Sequence, residues 1–237
     1  MVETRTVGPM RPIVIVHGSY HRPEHFAEFA ALLRDDGYEV VVPDIGGRHL
    51  HEGIATVQAT VDALAQPPVV VAHSFGGAAG GAVRGAAHLV FLSAWVLDEG
   101  ESCTEFLARA GEAHDPGGEA FVVALRASAE EGRLEIDPDR AVDLFYNRCD
   151  AVTARRAREL LRPDLAANFT ATPTLASWRV TPRSYLRPTD DNTWPRPLLD
   201  TFAARGGDVV EVERADHSVW LSRPDVVRRV VREAAAG

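Results

Sequence analysis

Val69-Val70-Val71-Ala72-His73-Ser74-Phe75-Gly76-Gly77 is the stretch from which the fold is read. A run of β-branched residues stops abruptly at small-x-Ser-x-Gly, and a Gly/Ala-rich segment, 78–83, follows at once. The pattern predicts a buried parallel strand, a tight turn with Ser74 at its apex, and a helix. An apex serine sits in a strained backbone conformation, so its neighbours two before and two after must be small. Ala72 and Gly76 meet that requirement, although glycine is the usual first residue. The turn lifts the hydroxyl out of the sheet, and the helix N-terminus points at it. In the competing reading Ser74 only caps that helix.

Outward from this stretch, strands and helices alternate. Residues 12–16 read as a buried strand ending in His17-Gly18-Ser19-Tyr20, a glycine-bearing turn. A helix is expected over 24–35, with Phe26, Phe29, Ala30 and Leu33 on one face and Gly37 as its stop. A strand over 38–42, a helix over 54–65 ended by Pro67-Pro68, the central strand 69–72 and a strand over 87–93 complete the first half. That rhythm is the signature of a doubly wound, mostly parallel sheet. It breaks near Val96. Residues 98–176 show no confident strand and four helical pieces, 102–109, 118–131, 138–146 and 153–162, so they read as a helical cap over the strand ends. The alternation returns with a strand over 183–186, a helix over 197–205, a strand over 208–212 and a final helix over 224–234. The expectation is one domain, 1–237, with a cap inserted at 98–176.

Composition narrows the function. The chain has 237 residues, 46% of them hydrophobic, which suits one well-buried α/β domain. No apolar run reaches membrane-spanning length, and residues 1–11 lack the apolar core of a signal peptide. Two cysteines, Cys103 and Cys149, are too few for a disulfide scaffold, so a reduced, cytoplasmic protein is expected. The net charge of −9 without a basic tract argues against nucleic acid or an anionic membrane as partner. A small molecule is the expected partner, and self-association into a homodimer stays open. Every basic residue is arginine, which excludes catalysis through a lysine Schiff base.

A serine hydroxyl is a poor nucleophile until a base takes its proton, and the base needs an orienting acid. Of nine histidines, His217 lies in a loop between the last predicted strand and the last helix, from which it can reach Ser74. His17 and His73 adjoin the two key turns and are expected to orient backbone. His21, His25, His49 and His51 are expected on the solvated surface, His88 at the start of a strand and His114 in the cap. The acid should follow a strand between serine and histidine. Asp190 and Asp191 both do so, and Asp98 is a rival after the earlier strand; Asp44 precedes Ser74 and reads as structural. Backbone N–H groups of Ser19 and Phe75 are the expected oxyanion donors, and Gly18 lets the first turn come close. Tyr20, Trp95 and Val219 follow strand ends or catalytic turns and are expected to line the substrate pocket, whereas Phe106 and Trp178 are as well explained by packing. The apolar residues scattered through the cap, among them Phe121, Phe145, Tyr146 and Phe169, suggest a closed pocket for small or medium hydrophobic acyl substrates.

Taken together, residues 13–18, Ala72-His73-Ser74-Phe75-Gly76-Gly77, Asp191 with Pro195 four residues later, and Asp216-His217-Ser218 resemble the α/β-hydrolase superfamily. More narrowly, the chain resembles the small esterases related to plant methylesterases and hydroxynitrile lyases, and their bacterial relatives. The resemblance runs from about residue 12 to 231 and is weakest in the cap. It implies serine-dependent cleavage of an ester or related acyl bond without metal or cofactor, the chain order Ser74, Asp191, His217, and Asp191 rather than Asp190 as the acid. The hydroxynitrile lyases of this group carry threonine after the first-strand histidine and lysine after the catalytic one. Here those positions are Gly18 and Ser218, so cyanide chemistry is not expected. Two further readings remain: an elimination, cyclisation or decarboxylation with histidine as plain general base, and a non-catalytic ligand receptor.

Overall fold

The computed structural model describes residues 10–113 and 119–237; His114 lies outside them. In chain order the elements are β1 (Ile13–Val16), a 3₁₀ turn (Pro23–Phe26) leading into α1 (Ala27–Asp35), β2 (Val40–Val41), α2 (Leu50–Asp62), β3 (Val69–His73), α3 (Gly76–Gly80) and β4 (His88–Leu92). Then come α4 (Cys103–Ala113), α5 (Glu119–Ala124), β5 (Leu125–Ala127), β6 (Arg133–Ile136), α6 (Pro138–Phe145), α7 (Ala151–Glu159) and β7 (Asp164–Leu165). The chain ends with β8 (Arg183–Pro188), α8 (Arg196–Arg205), β9 (Asp208–Val212), α9 (Val219–Ser222) and α10 (Pro224–Ala236).

Six strands form the main sheet in the order β2-β1-β3-β4-β8-β9, every neighbouring pair parallel. The near-continuous apolar runs of its inner strands follow from burial on both faces. Ile13, Ile15, Val69, Val71, Val90 and Leu92 pack with Phe29 and Leu33 of α1 and with Val227 and Val231 of α10. The alternate residues Val14, Val16, Val70, Ala72, Leu89 and Phe91 pack with Val57 of α2, Ala79 of α3, Phe202 of α8 and the cap. From β1 the chain steps outward to β2, then back past β1 to β3. The loops after β1 and β3 therefore diverge at a switch point, where a parallel sheet opens a crevice. Among the described residues, no helix is long and apolar enough to cross a membrane.

The small residues around the central turn are dictated by close approach. A Cβ at Gly76 would lie 2.5 Å from the carbonyl oxygens of Val16 and His17, and one at Gly77 would overlap the Trp95 carbonyl. At Gly80 a Cβ would lie 3.0 Å from the Cβ of Ala72, which explains why an alanine suffices where a glycine is more usual. The obstacles to Gly76→Ala are backbone atoms, which cannot rotate away. This variant is expected to lose about 1–3 kcal/mol, read as a lowered urea midpoint at unchanged m-value; wild-type stability would contradict the packing.

The segment 98–176, expected to be mostly helical, also contains strands. It contains an antiparallel three-stranded sheet, β5-β6-β7, and the helix expected over 118–131 ends at Ala124. The chain turns back through Gly132, whose φ of +73° suits glycine. Arg133-Leu134-Glu135-Ile136 then alternates polar and apolar with period two, a pattern too short to stand out beside the helical residues before it. The helices that follow are well started: Asp137 accepts from the Asp139 amide ahead of α6, and Asp150 from those of Val152 and Thr153 ahead of α7.

Candidate active site

Five loops at the C-terminal edge of the main sheet converge, after β1, β3, β4, β8 and β9. Ser74 follows β3 with φ +50°, a left-handed conformation that costs a non-glycine residue about 1–3 kcal/mol and needs support. Its N–H donates to the Leu92 carbonyl at 3.2 Å, and its own carbonyl accepts from Gly77 at 2.9 Å and Trp95 at 3.0 Å. The ends of β4 and α3 thus hold the turn from both sides. The turn after β1 presses against it, because a Cβ at Gly18 would lie 2.7 Å from that of Ser74. Among the described residues, neither the Ser19 nor the Phe75 N–H donates to a backbone carbonyl.

Asp191 follows β8 and is fully buried in its side chain. It accepts from the Thr193 amide at 2.7 Å, the Trp194 amide at 3.1 Å, the Ser93 hydroxyl and His217 Nδ1 at 2.9 Å. Burial opposes its ionisation, but the neighbouring His217 and the donated hydrogen bonds outweigh that and hold the carboxyl below the usual carboxylate range. An ionised carboxylate only accepts, so His217 carries its proton on Nδ1 and leaves the Nε2 lone pair unprotonated. The rival acids are engaged elsewhere: Asp98 pairs with Arg179 and Asp190 with Arg148. Asp44 pairs with Arg162 and lies beside His17.

The His217 loop is tied to both the sheet and the cap. His73 Nε2 donates to the His217 carbonyl at 3.2 Å, bonding the loop to the residue next to Ser74. Asp216 accepts from the Ser218 amide, the Ser222 hydroxyl and, across to the cap, the Arg148 amide at 2.8 Å. Phe145 stacks on the His217 ring at 5.4 Å. Ser93, absent from the sequence-based candidates, joins the Asp191–His217 pair from the end of β4, its Oγ 3.3 Å from His217 Nδ1. Its only signal in sequence is a small polar residue closing an apolar strand.

One sequence-based expectation is corrected here. His21 and His25 are 1% and 4% exposed, not solvated. Their ring nitrogens find partners: His21 with the Ser19 carbonyl and the Tyr146 hydroxyl, His25 with the Ala157 carbonyl and the Arg22 amide. Such paired, uncharged imidazoles pack like aromatic rings. Val219, the first residue of α9, is fully buried in the core cluster that holds Trp220 and Val227. Tyr20 is buried in the cap-side core near Phe121, and the Trp95 ring packs on Phe106, Trp194 and Phe202. His49 and His51 are exposed as expected.

A cavity of about 10 Å³, room for one water, is lined by Gly18, Ser19, Phe75, Leu50 and Asn168 among others. Asp164 and Asn168 of the 98–176 segment line it as well. Arg162 Nη1 bonds Asp44 at 3.0 Å, Asp164 accepts from the Gly47 amide, and Asn168 accepts from the Leu50 amide while donating to the Arg48 carbonyl.

The buried histidines make stability depend on pH. Burial lowers His21 and His73 well below the ordinary histidine value and His25 to about 4. An unfolded histidine binds its proton near pH 6.5, so below that value the unfolded chain takes up protons that the native one refuses. Stability is therefore full above about pH 6.5 and falls as pH drops, with His25 alone accounting for roughly 3 kcal/mol by pH 4. Asp216, raised by burial, offsets part of this. Urea midpoints should decline steadily from pH 7 to 5; a flat profile would contradict neutral burial.

A serine turn, a histidine and a carboxylate at the C-terminal edge of a parallel sheet define the hydrolase class built on this architecture. The chain belongs to the alpha/beta hydrolase family, which it matches over residues 13–230. It is 28% identical to the alpha/beta hydrolase nvfD of Aspergillus novofumigatus, across 94% of this chain and 96% of that one. It is 25% identical to putative methylesterase 11, chloroplastic, of Arabidopsis thaliana, of whose length it spans 63%. Its fold is similar to that of a pyrethroid hydrolase from Sphingobium faniae, with a TM-score of 0.81 at 18% identity over 95% of this chain and 97% of that one.

Proposed function

We propose that the chain is a serine hydrolase of small, largely apolar carboxylic esters. The observation that carries this reading is the buried Asp191–His217 hydrogen bond, which leaves Nε2 free in a loop bonded to the residue next to Ser74. Nε2 takes the proton of Ser74 Oγ as the oxygen attacks the ester carbonyl. The oxyanion is received by the N–H groups of Ser19 and Phe75. The tetrahedral species collapses, the C–O bond to the alcohol breaks, and His217 passes its proton to the departing oxygen. Water then repeats the sequence on the acyl-enzyme and frees Ser74. Esterase relatives and the apolar cap support an ester with a hydrophobic acyl or alcohol part, and the cap at 98–176 selects it. The free cysteines Cys103 and Cys149 support a reducing compartment such as the cytoplasm.

The test is a fluorophosphonate probe followed by intact mass and peptide mapping, with p-nitrophenyl esters of increasing acyl length alongside. One adduct at Ser74 together with hydrolysis of short and medium esters is expected. An adduct at Ser74 without hydrolysis of any ester favours histidine as plain general base in an elimination or related step.

A further inference from the structure

We propose that His21, held by Tyr146 of the cap, is a positioning residue that keeps the oxyanion turn in its working conformation. The inference rests on the reading of Ser19 N–H as an oxyanion donor. Residues 18–21 form a turn closed by the His21 amide on the Gly18 carbonyl at 3.3 Å. Its third residue, Tyr20, has φ +67°, as a type II turn demands, in a place where glycine or asparagine is normal. A bulky residue there is strained and favours relaxation of the turn, which shifts Ser19 as a whole and its N–H with it. The His21 ring opposes that shift, because its Nδ1 lies 2.9 Å from the Ser19 carbonyl oxygen and tethers the residue.

The tautomer follows from the partners. A carbonyl oxygen only accepts, so Nδ1 donates. The fully buried ring stays uncharged, so Nε2 is a bare acceptor, and the Tyr146 hydroxyl 3.1 Å away donates to it. Without that hydroxyl the buried Nε2 acceptor loses its partner, and the ring can rotate to find another, which takes Nδ1–H off the Ser19 carbonyl. Tyr146 follows α6 directly, its amide donating to Val142 of that helix, so the cap takes part in shaping the site floor. The packing of His21 against His25, His73, Phe145 and Trp220 holds the ring plane.

The test compares His21→Asn, His21→Gln, Tyr146→Phe and the double variant His21→Asn/Tyr146→Phe in hydrolysis of p-nitrophenyl acetate. The asparagine amide N–H sits where Nδ1–H does, whereas glutamine places its own one bond further out. Loss of an oxyanion donor costs about 10²–10³ in kcat, and misplacing one costs part of that. His21→Gln and Tyr146→Phe should thus lower kcat about 10-fold or more at near-constant KM, with His21→Asn within about 3-fold of wild type. Tyr146→Phe should add no further loss in the His21→Asn background, since the ring it orients is gone. Equal activity of the asparagine and glutamine variants, or wild-type kcat in Tyr146→Phe, would overturn the inference. Should His21→Gln fail to fold, Tyr146→Phe, which removes one oxygen, decides alone. An active Ser74→Ala variant would overturn the nucleophile reading instead, whatever the behaviour of His21.

Discussion

Ser74→Ala is expected to lower kcat by about 10⁶-fold, His217→Ala by a similar factor, and the double variant by no more than either alone. The reason lies in the dependence of each group on the other. In the proposed mechanism Ser74 Oγ attacks only as its proton leaves, and His217 Nε2 has no catalytic task without that proton. Neither change should unfold the protein, because the Ser74 turn is held by backbone bonds to Leu92, Gly77 and Trp95. Single-turnover and steady-state rates on one p-nitrophenyl ester for all three variants give the measurement. Losses that add would mean that the two residues act independently. A nearly inactive His217→Ala beside an active Ser74→Ala would move the reaction from acyl transfer to general-base chemistry.

Asp191→Asn carries the next largest effect, about 10⁴-fold in kcat by analogy with the matching change in serine proteases. The asparagine oxygen still accepts from the Thr193 and Trp194 amides, so the loop keeps its shape. Its amide group then faces His217 and pulls the proton to Nε2, blocking the base. Asp190→Asn and Asp98→Asn, whose partners are Arg148 and Arg179, are expected to stay within a few-fold of wild type. A larger loss at Asp98 would place the acid after β4 instead.

The parts of the molecule that could be read from sequence are those in which one local rule acts alone. Residues 69–77 need a strand, a strained serine and small neighbours, and each demand leaves its own mark on residue type. His217 and the neighbouring candidates Asp190 and Asp191 are legible because they stand in loops after strands, where side chains are not claimed by packing, and the choice of Asp191 rests on the family resemblance. Ser93 was not legible: a single hydroxyl at the end of an apolar strand carries no pattern, and its value depends on partners 98 and 124 residues away. The burial of His21 and His25 is not legible, because polarity in sequence does not reveal whether a ring nitrogen finds a partner indoors. The cap hairpin escaped because β5, β6 and β7 have only three, four and two residues, and helix-favouring residues surround the first.

The chain reaches His217 from β9, an edge of the main sheet whose one strand neighbour among the described residues is β8. Most of the β9 residues face solvent, Val209 being 45% exposed. Edge strands of this kind fray before the interior melts. On slow heating, catalytic competence should therefore vanish several degrees before the circular dichroism of the sheet does, and return promptly on cooling from that interval. The protein would behave as a thermal fuse: inactivated reversibly by loosening one strand, with β1, β3 and β4 still assembled underneath.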